Sequence, residues 1–426
     1  MNNNVIVAQS GGPSPVINNS LRGVIDACRM FPGKFGKVYA GWHGIEGVLK
    51  EELLDITAQS EEEIALLRVT PAAGSVGTCR YKLKDDQHQD FSRLLDVFRA
   101  HRIGYFFYIG GNDSQHTAWK VSRLADEQGL ELTAVGIPKT IDNDVGDSEF
   151  TLIDHTPGYA SAARYWSHIV QLTNEESMGV CTSDPVIVLQ AMGRNAGFIT
   201  AAARLADPKR QMPLQIYLPE SHLTIEQLAD NVNEQLKQDG RCMVVVNESF
   251  DVGDIGAVQD AFGHIEYGAS QQSAAQAIVN YLNAKGLKTR GYARGQVMDT
   301  DQRHSIIYAS TVDLDEAYKV GQKAVDIALN DGAGWMATIL RDPGFIYNVH
   351  YDKVPLETVA LSERPLPEKW IAPNRIDVTD DFLRYARPLI GEDWVSVPMI
   401  NGIQRFAKFQ PIFAEKKLPK YELGGN

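Results

Sequence analysis

The chain has 426 residues, of which 44% are hydrophobic, and this length favours two buried α/β cores over one or three. Its 54 acidic and 41 basic side chains give a formal net charge of -13, which argues against nucleic acid and acidic membranes as partners. No run approaches the roughly 18 apolar residues of a membrane span, no basic leader precedes an apolar core, and the four cysteines lack CxxC spacing. We therefore expect a cytoplasmic protein with reduced cysteines.

Strand and helix patterns alternate along the chain, which is typical of βαβ units and predicts an α/β fold with mostly parallel sheets. The predicted strands are residues 4–8, 38–40, 104–109, 132–137, 185–190, 214–218, 243–246 and 289–292. The predicted helices are residues 17–28, 91–101, 115–128, 158–171, 199–206, 225–237, 274–282 and 314–330. Composition further predicts a surface connection at 355–376 and a loose charge run at 415–420.

Two glycine-rich loops join a predicted strand to a predicted helix. The first contains Ser10-Gly11-Gly12, and the second runs from Gly110 to Ser114. A helix that begins after bare glycine amides attracts phosphate through unsatisfied N–H groups and the helix dipole. The first loop matches neither the P-loop nor the dinucleotide GxGxxG pattern, so neither of those sites is predicted there.

A third loop, Gly136 to Asp144, follows the predicted strand 132–137 and carries the residue types of a phosphoryl-transfer site. In an open α/β sheet, the loop after a strand faces the ligand crevice. Lys139 could neutralise phosphate charge there while Asp142 accepts a hydroxyl proton. Pro, Thr, Asp and Asn are also ordinary turn residues, so a purely structural loop is the alternative.

Five short motifs stand in the order and approximate spacing of one enzyme family: Ser10-Gly11-Gly12, Gly74 to Arg80, Gly110 to Ser114, Pro138 to Asp144 and Met192-Gly193-Arg194. On these residues the chain resembles the phosphofructokinase family over roughly residues 1–340. The resemblance implies two doubly wound, Rossmann-like lobes with the active site in the cleft between them.

Two positions select the pyrophosphate-dependent branch of that family. ATP-using members typically carry glycine where this chain has Asp113 and Lys139. A carboxylate at Asp113 would repel the α-phosphate of a nucleotide, which diphosphate lacks. A fixed cation at Lys139 would stabilise the charge that develops on the transferred phosphoryl group. The alternative for this pair is an internal salt bridge without a catalytic role.

The resemblance also implies the site residues. Asp142, Lys139 and Asp113 are the expected catalytic residues, and Gly12, Arg80, Gly111 and Lys139 are expected to bind diphosphate. Fructose 6-phosphate is expected to contact Thr140, Ile141, Asp142, Met192, Gly193, Arg194, Glu220, Tyr292 and Arg294. The expected cofactor is Mg²⁺, with Asn112 at the metal position. Asn112 replaces the usual aspartate, so diphosphate would supply most of the metal's ligands.

The order of the motifs predicts the domains. Residues 1–150 and roughly 295–350 form the expected phosphoryl-donor lobe, residues 151–294 and part of 351–400 the sugar-phosphate lobe, and 401–426 a C-terminal extension. The expected reaction is reversible phosphoryl transfer from diphosphate to fructose 6-phosphate by a homodimer or other homo-oligomer. The alternatives are an ATP-dependent phosphofructokinase, an NAD kinase-like enzyme, and a non-catalytic subunit that binds sugar phosphate. Asp142 and Lys139 argue against the last of these.

Overall fold

The computed structural model describes residues 2–83, 87–253, 273–360 and 362–423, and the backbone of two short strands between 254 and 272. The strands are β1 (Asn3–Gln9), β2 (Phe35–Gly41), β3 (Leu53–Asp55), β4 (Ile103–Gly110), β5 (Thr133–Pro138), β6 (Val186–Ala191), β7 (Leu214–Tyr217), β8 (Cys242–Asn247), β9 (Val258–Gln259), β10 (Ile265–Glu266), β11 (Ala293–Val297), β12 (Trp335–Arg341), β13 (Val349–Pro355), β14 (Met399–Ile400) and β15 (Ile403–Gln404). The α-helices are α1 (Pro15–Met30), α2 (Ile45–Leu49), α3 (Glu61–Leu66), α4 (His88–Ala100), α5 (Asn112–Glu127), α6 (Tyr159–Val180), α7 (Phe198–Ala201), α8 (Ile225–Asp239), α9 (Ala274–Lys285), α10 (Asp301–His304), α11 (Thr311–Asn330), α12 (Leu356–Val359) and α13 (Asp380–Ala386). Short 3-10 helices lie at Leu67–Val69, Ala202–Ala206, Pro219–Ser221, Glu368–Trp370 and Arg387–Ile390.

The larger sheet has seven strands in the order β13-β12-β5-β4-β1-β2-β3. Its inner strands are parallel, and the edge strands β13 and β3 run antiparallel to their neighbours. Strand β4 is apolar almost throughout because helices cover both faces of the sheet. Phe106 and Tyr108 pack in one core, and Phe107 and Ile109 in the other, as the two-residue period of a strand requires.

The smaller sheet has four parallel strands in the order β11-β6-β8-β7. Every residue of β6 and β8 is buried. These two sheets, with helices on their faces, confirm the predicted α/β class with mostly parallel strands. No helix of the described residues has the length and apolar character of a bilayer span.

Helices α1 and α11 touch through their backbones on one face of the larger sheet. A Cβ at Gly23 would lie 2.1 Å from the carbonyl oxygen of Tyr318, and one at Gly321 would lie 2.2 Å from that of Ser20. Only glycine permits such an approach. Any other residue at either position would push the two helices apart. Because α1 begins just after the first glycine loop, this contact fixes that loop relative to α11.

The two sheets draw on different parts of the chain. Strands of the larger sheet come from residues 3–138 and 335–355, and those of the smaller sheet from residues 186–297. The predicted lobe boundary near 150 falls between these groups. A boundary near 295 would cut β11, which continues to Val297. The assignment of donor and sugar-phosphate roles to the lobes stays a prediction.

Each predicted helix overlaps an observed helix, and each predicted strand except 289–292 overlaps an observed strand. The prediction of a strand at 289–292 was wrong, because β11 begins only at Ala293. Gly291 turns the chain just before it with a φ of 116°. A Cβ at Gly291 would lie 2.4 Å from the carbonyl oxygen of Ser183, so this turn requires glycine.

The C-terminal quarter is more closely integrated than its composition predicts. Residues 355–376 are not a surface connection, because Arg364, Leu366 and Trp370 are buried. The run 415–420 is not loose either. The backbone N–H groups of Lys417 and Leu418 donate to the buried carboxylate of Glu51. The prediction was wrong because it was based on the charged side chains of this run, whereas the run is held through its backbone N–H groups.

Candidate active site

Loops at the carboxyl ends of strands from both sheets meet in one cleft of about 360 Å³. This edge is where open parallel sheets hold ligands. The larger sheet contributes the loops after β1, β4 and β5, and the smaller sheet those after β6, β8 and β11. The lining residues are Ser10, Gly11, Gly12, Arg80, Lys82, Gly111, Asn112, Asp113, Ser114, Lys139, Thr140, Ile141, Asp142, Asp144, Gln190, Ala191, Met192, Arg194, Glu248, Val297, Asp299, Thr300, Gln302 and Arg303.

The two glycine-rich loops lie side by side in this cleft. The Ser10 N–H donates to the carbonyl oxygen of Ile109 (2.8 Å), which ties the first loop to the strand that leads into the second. Helix α5 follows Gly111 and has no side-chain N-cap. Its first N–H groups are therefore free of a capping side chain and can bind an anion.

Lys139 brings a buried ammonium group to these loops. Its side chain is 3% exposed, and its Nζ donates to the carbonyl oxygen of Gly12 (2.9 Å). Burial lowers the pKa of Lys139 to about 7, and the Arg303 guanidinium adds to this lowering. The charge of Asp142 opposes this lowering, and an anion bound in the cleft would raise the pKa of Lys139 further because it favours the charged ammonium group.

Asp142 places a carboxylate on the same cleft. The Thr140 hydroxyl donates to its Oδ2 (3.1 Å), and Nε of Arg194 lies 3.7 Å from the same atom. The carboxylate is 13% exposed, so it borders the cleft without being freely solvated. Burial raises the pKa of nearby Asp144 to about 7, and the charge of Asp142 adds to that rise.

The loop after β6 is held by Glu248. Its Oε1 accepts from the backbone N–H groups of Gly193 (3.1 Å) and Arg194 (2.9 Å). Both residues have positive φ, 134° for Gly193 and 50° for Arg194. A Cβ at Gly193 would lie 2.6 Å from the carbonyl oxygen of Ala196. This turn aims the Arg194 side chain at Asp142, which lies across the cleft.

Asp113 forms an ion pair with Lys82, with 2.7 Å between Oδ1 and Nζ. The alternative considered from the sequence was a salt bridge between Asp113 and Lys139. In the structure the ammonium group of Lys139 bonds to Gly12, and Lys82 is the cation paired with Asp113. The ion pair of Asp113 and Lys82 therefore lies at the N-terminus of α5, and the Lys139 ammonium group lies at the first glycine-rich loop.

The sequence model of the phosphofructokinase family matches residues 4–328. The chain belongs to this family. It is 40% identical to the pyrophosphate–fructose 6-phosphate 1-phosphotransferase of Halomonas elongata, over 99% of both chains. The enzyme of that name from Methylococcus capsulatus is 38% identical, over 97% of this chain and 98% of its own. The structure of the pyrophosphate-dependent phosphofructokinase from Marinobacter aquaeolei matches with a TM-score of 0.87 at 37% identity, covering 99% of this chain and 100% of that one.

Most of the site residues expected from the phosphofructokinase resemblance line the cleft. They are Gly12, Arg80, Gly111, Asn112, Asp113, Lys139, Thr140, Ile141, Asp142, Met192 and Arg194. Gly193 lies between two lining residues and takes part through its N–H group, which binds Glu248. The structure therefore brings these residues together, while their individual roles stay predictions.

Glu220 lies behind the cleft instead of lining it. Its Oε1 accepts from the N–H groups of Gly197 (3.0 Å) and Leu366 (2.8 Å). Glu220 lies in the 3-10 helix Pro219–Ser221, just after β7, and its expected contact with the sugar stays a prediction. Glu248, directly after β8, is the glutamate that borders the cleft.

Tyr292 and Arg294 also lie outside the cleft. Tyr292 is 71% exposed, and Arg294 is paired with Glu176 (3.3 Å) and Asp184 (3.5 Å). Both residues are near the start of β11, whereas the cleft is at the carboxyl end of that strand. The structure therefore does not place them with the other substrate-binding candidates.

Several cleft residues were missed in the sequence. They are Lys82, Asp144, Glu248, Thr300, Gln302 and Arg303. Arg303 is close to the first glycine loop, since a Cβ at Gly12 would lie 3.1 Å from its Nη1. The signal that could have found Glu248 and Arg303 is their position after a parallel strand, which already identified the other loops.

Asn112 has the chemistry of a weak Mg²⁺ ligand. Its Oδ1 is buried and has no hydrogen-bond partner, which leaves a carbonyl oxygen of the kind that Mg²⁺ accepts. The described residues contain no cluster of three or more His, Cys, Asp or Glu side chains suited to a metal. These residues fit a metal that is held mainly by phosphate oxygens, with Asn112 as one protein ligand.

Proposed function

We propose that the protein transfers a phosphoryl group from diphosphate to the 1-hydroxyl of fructose 6-phosphate, as a reversible phosphotransferase. The bond between the bridging oxygen and the transferred phosphorus breaks, and a bond to the sugar oxygen forms. The products are fructose 1,6-bisphosphate and phosphate. The observation that carries the proposal is the shared cleft of Lys139, Asp142 and Asp113, in a chain aligned over its full length with relatives that bear this activity in their names.

Asp142 accepts the proton of the 1-hydroxyl in this mechanism. The hydrogen bond from Thr140 and the guanidinium of Arg194 fix its carboxylate before the sugar binds. This preorganisation matters because phosphoryl transfer leaves little for the protein to do beyond positioning and charge stabilisation.

Three cations stabilise the transferred phosphoryl group. Lys139, Arg303 and Arg80 are close enough that both arginines lower the pKa of Lys139. Charge spreads over the equatorial phosphoryl oxygens in the transition state, so fixed cations bind that state better than the ground state. The mutual repulsion of these cations in the free protein is relieved when the diphosphate anion binds.

Asp113 and Lys82 define the donor end of the cleft. Diphosphate ends before this ion pair, whereas the α-phosphate of ATP would reach the Asp113 carboxylate. The ion pair with Lys82 holds that carboxylate at the N-terminus of α5. Mg²⁺, with Asn112 as a ligand, would neutralise phosphate charge when bound. A homo-oligomeric state and a cytoplasmic location are part of the proposal.

The donor preference provides the direct test. We expect purified protein to use diphosphate and to show no comparable kcat/KM with ATP at equal concentration. Asp113→Gly should bind ATP detectably in calorimetry, because a repulsive contact has been removed. Asp113→Asn is the matched control, since it removes the charge and keeps the volume. Wild-type kcat/KM values that are similar for the two donors would contradict the proposed donor.

Arg303 and Arg294 offer a second test, of the substrate site itself. Arg303→Ala should lower kcat/KM about 10- to 150-fold, the equivalent of about 1.5–3 kcal/mol for lost hydrogen bonds to a charged group. Arg294→Ala is the control, because its guanidinium pairs with Glu176 and Asp184 at the other end of β11. Steady-state kinetics with both substrates varied would measure this. A larger loss in Arg294→Ala would restore the assignment made from the sequence.

A further inference from the structure

Arg364 lies between the loop from Gly136 to Asp144, here called the catalytic loop, and the core of the smaller sheet. It is outside the residues 4–328 that match the family model. It is 1% exposed, and its guanidinium carbon is 4.2 Å from the ring centroid of Phe150. Burying a guanidinium is costly unless its N–H groups are bonded. The partners that satisfy it therefore indicate what it does.

Those partners belong to the catalytic loop and the segment that follows it. Arg364 Nε donates to the carbonyl oxygen of Asn143 (3.1 Å), and Nη2 donates to Asn143 Oδ1 (3.0 Å). Nη1 donates to the carbonyl oxygen of Ile153 (2.7 Å). The backbone N–H of Arg364 donates to the carbonyl oxygen of Asp144 (2.7 Å). One residue thus binds the loop through both its side chain and its backbone.

Asn143 is the residue between the two cleft carboxylates, Asp142 and Asp144. It is fully buried and has a left-handed φ of 59°. Asn adopts this conformation more readily than other residues with a Cβ, and here buried hydrogen bonds to its side chain and its carbonyl oxygen fix it in place. Besides Arg364, Asn143 Oδ1 accepts from the N–H of Thr156 (3.0 Å). The backbone at Asn143 sets the direction of the carboxylates on either side.

The same segment reaches the sugar side of the cleft two residues later. The Leu366 N–H donates to Glu220 Oε1, which also accepts from the N–H of Gly197. Gly197 follows the loop that carries Arg194, the residue opposite Asp142. The segment 364–366 is therefore hydrogen-bonded to the catalytic loop on one side of the cleft. On the other side it is linked through Glu220 to Gly197, which follows the loop that carries Arg194.

We infer that Arg364 is a positioning residue for phosphoryl transfer, because it holds Asn143 in its left-handed conformation and so aims the Asp142 carboxylate into the cleft. This inference rests on the proposed function. A residue of this kind contributes after both substrates have bound, when the reacting groups must align. Its loss therefore lowers kcat while the KM values change little.

The test replaces Arg364 and measures both kinetic constants. Arg364→Gln should lower kcat about 10- to 100-fold, because a misplacement of about 1 Å can cost that much. The KM values for diphosphate and fructose 6-phosphate should stay within about threefold. Arg364→Lys keeps the charge and lacks the planar fork, so we expect no rescue.

Asn143→Gly probes the same contact without touching Arg364. Glycine adopts a φ of 59° freely but removes the Oδ1 acceptor. We expect kcat to fall about tenfold, and the double variant with Arg364→Gln should be no slower than the slower single variant, since both disrupt one interaction. This variant keeps the test valid if the Arg364 variants fail to fold.

Arg204→Gln is the matched control. Arg204 is 2% exposed and donates to Asp377 (2.8 Å) and to the carbonyl oxygen of Leu214 (2.9 Å), away from the catalytic loop. It should lower Tm while the folded fraction keeps kcat within about twofold. Equal losses of kcat in Arg204→Gln and Arg364→Gln would overturn the inference, as would wild-type kcat in folded Arg364→Gln and Asn143→Gly. Wild-type protein that is inactive with diphosphate would instead refute the proposed function.

Discussion

Asp142→Ser should lower kcat about 100- to 10,000-fold, the usual contribution of a general base. The KM for fructose 6-phosphate should stay within about tenfold, because the base acts mainly in the transition state. The structure supports this expectation through the orientation of the carboxylate by Thr140 and Arg194. Steady-state kinetics with diphosphate as donor would measure both constants.

Asp147→Ser provides the control for this substitution. Asp147 lies five residues further along the chain, where its carboxylate accepts from Thr151 and Leu152 and does not line the cleft. Its kcat should stay within about twofold of wild type. A wild-type kcat in Asp142→Ser would remove Asp142 from the mechanism.

Lys139→Met should lower kcat with diphosphate about 100- to 1,000-fold. The reason is the loss of a preorganised charge at the transferred group, for which about 2.7–4 kcal/mol is typical of comparable electrostatic contacts. Methionine retains much of the buried volume, so the fold should be kept. An equal loss in diphosphate affinity and no loss in kcat would show that Lys139 binds the donor without stabilising the transition state.

The same lysine predicts a pH dependence of donor binding. Burial holds the pKa of Lys139 in the free protein at about 7, and bound diphosphate should raise it, because the anion favours the charged ammonium. Above pH 7, binding must therefore take up a proton at Lys139, and affinity falls as pH rises. Calorimetry at pH 8 in two buffers of different ionisation enthalpy measures this uptake. Wild type should take up more protons than Lys139→Met, and equal uptake would contradict the expectation.

The loops of the larger sheet were predictable because their chemistry follows directly from strand ends. An apolar strand, followed by glycine or acid residues and then a helix, is a pattern that locates Gly12, Asn112 and Asp142 from sequence alone. The predicted residues that do not line the cleft, Glu220, Tyr292 and Arg294, were chosen on short motifs. Arg294 lies near the start of β11, so the strand-end rule would have favoured Arg303 over it. Glu220 follows the end of β7 as Glu248 follows the end of β8, so the same rule does not separate these two glutamates.

The C-terminal contribution was not predictable from local pattern. Arg364 belongs to no periodic segment, and its partners Asn143 and Ile153 are more than 200 residues away in sequence. Glu51 likewise binds the N–H groups of Lys417 and Leu418 at the far end of the chain. Such contacts leave no signal in spacing or composition, because they form only after the sheets are in place.

The interleaving of the two sheets along the chain has a consequence for the order in which they can be completed during synthesis. All four strands of the smaller sheet have been made once Val297 is added. The larger sheet begins first but lacks β12 and β13 until Pro355, so the side of β5 that later pairs with β12 stays open. Open strand edges are where chains mispair. The larger sheet is therefore begun first and completed last, and the edge of β5 stays unpaired until β12 has been made.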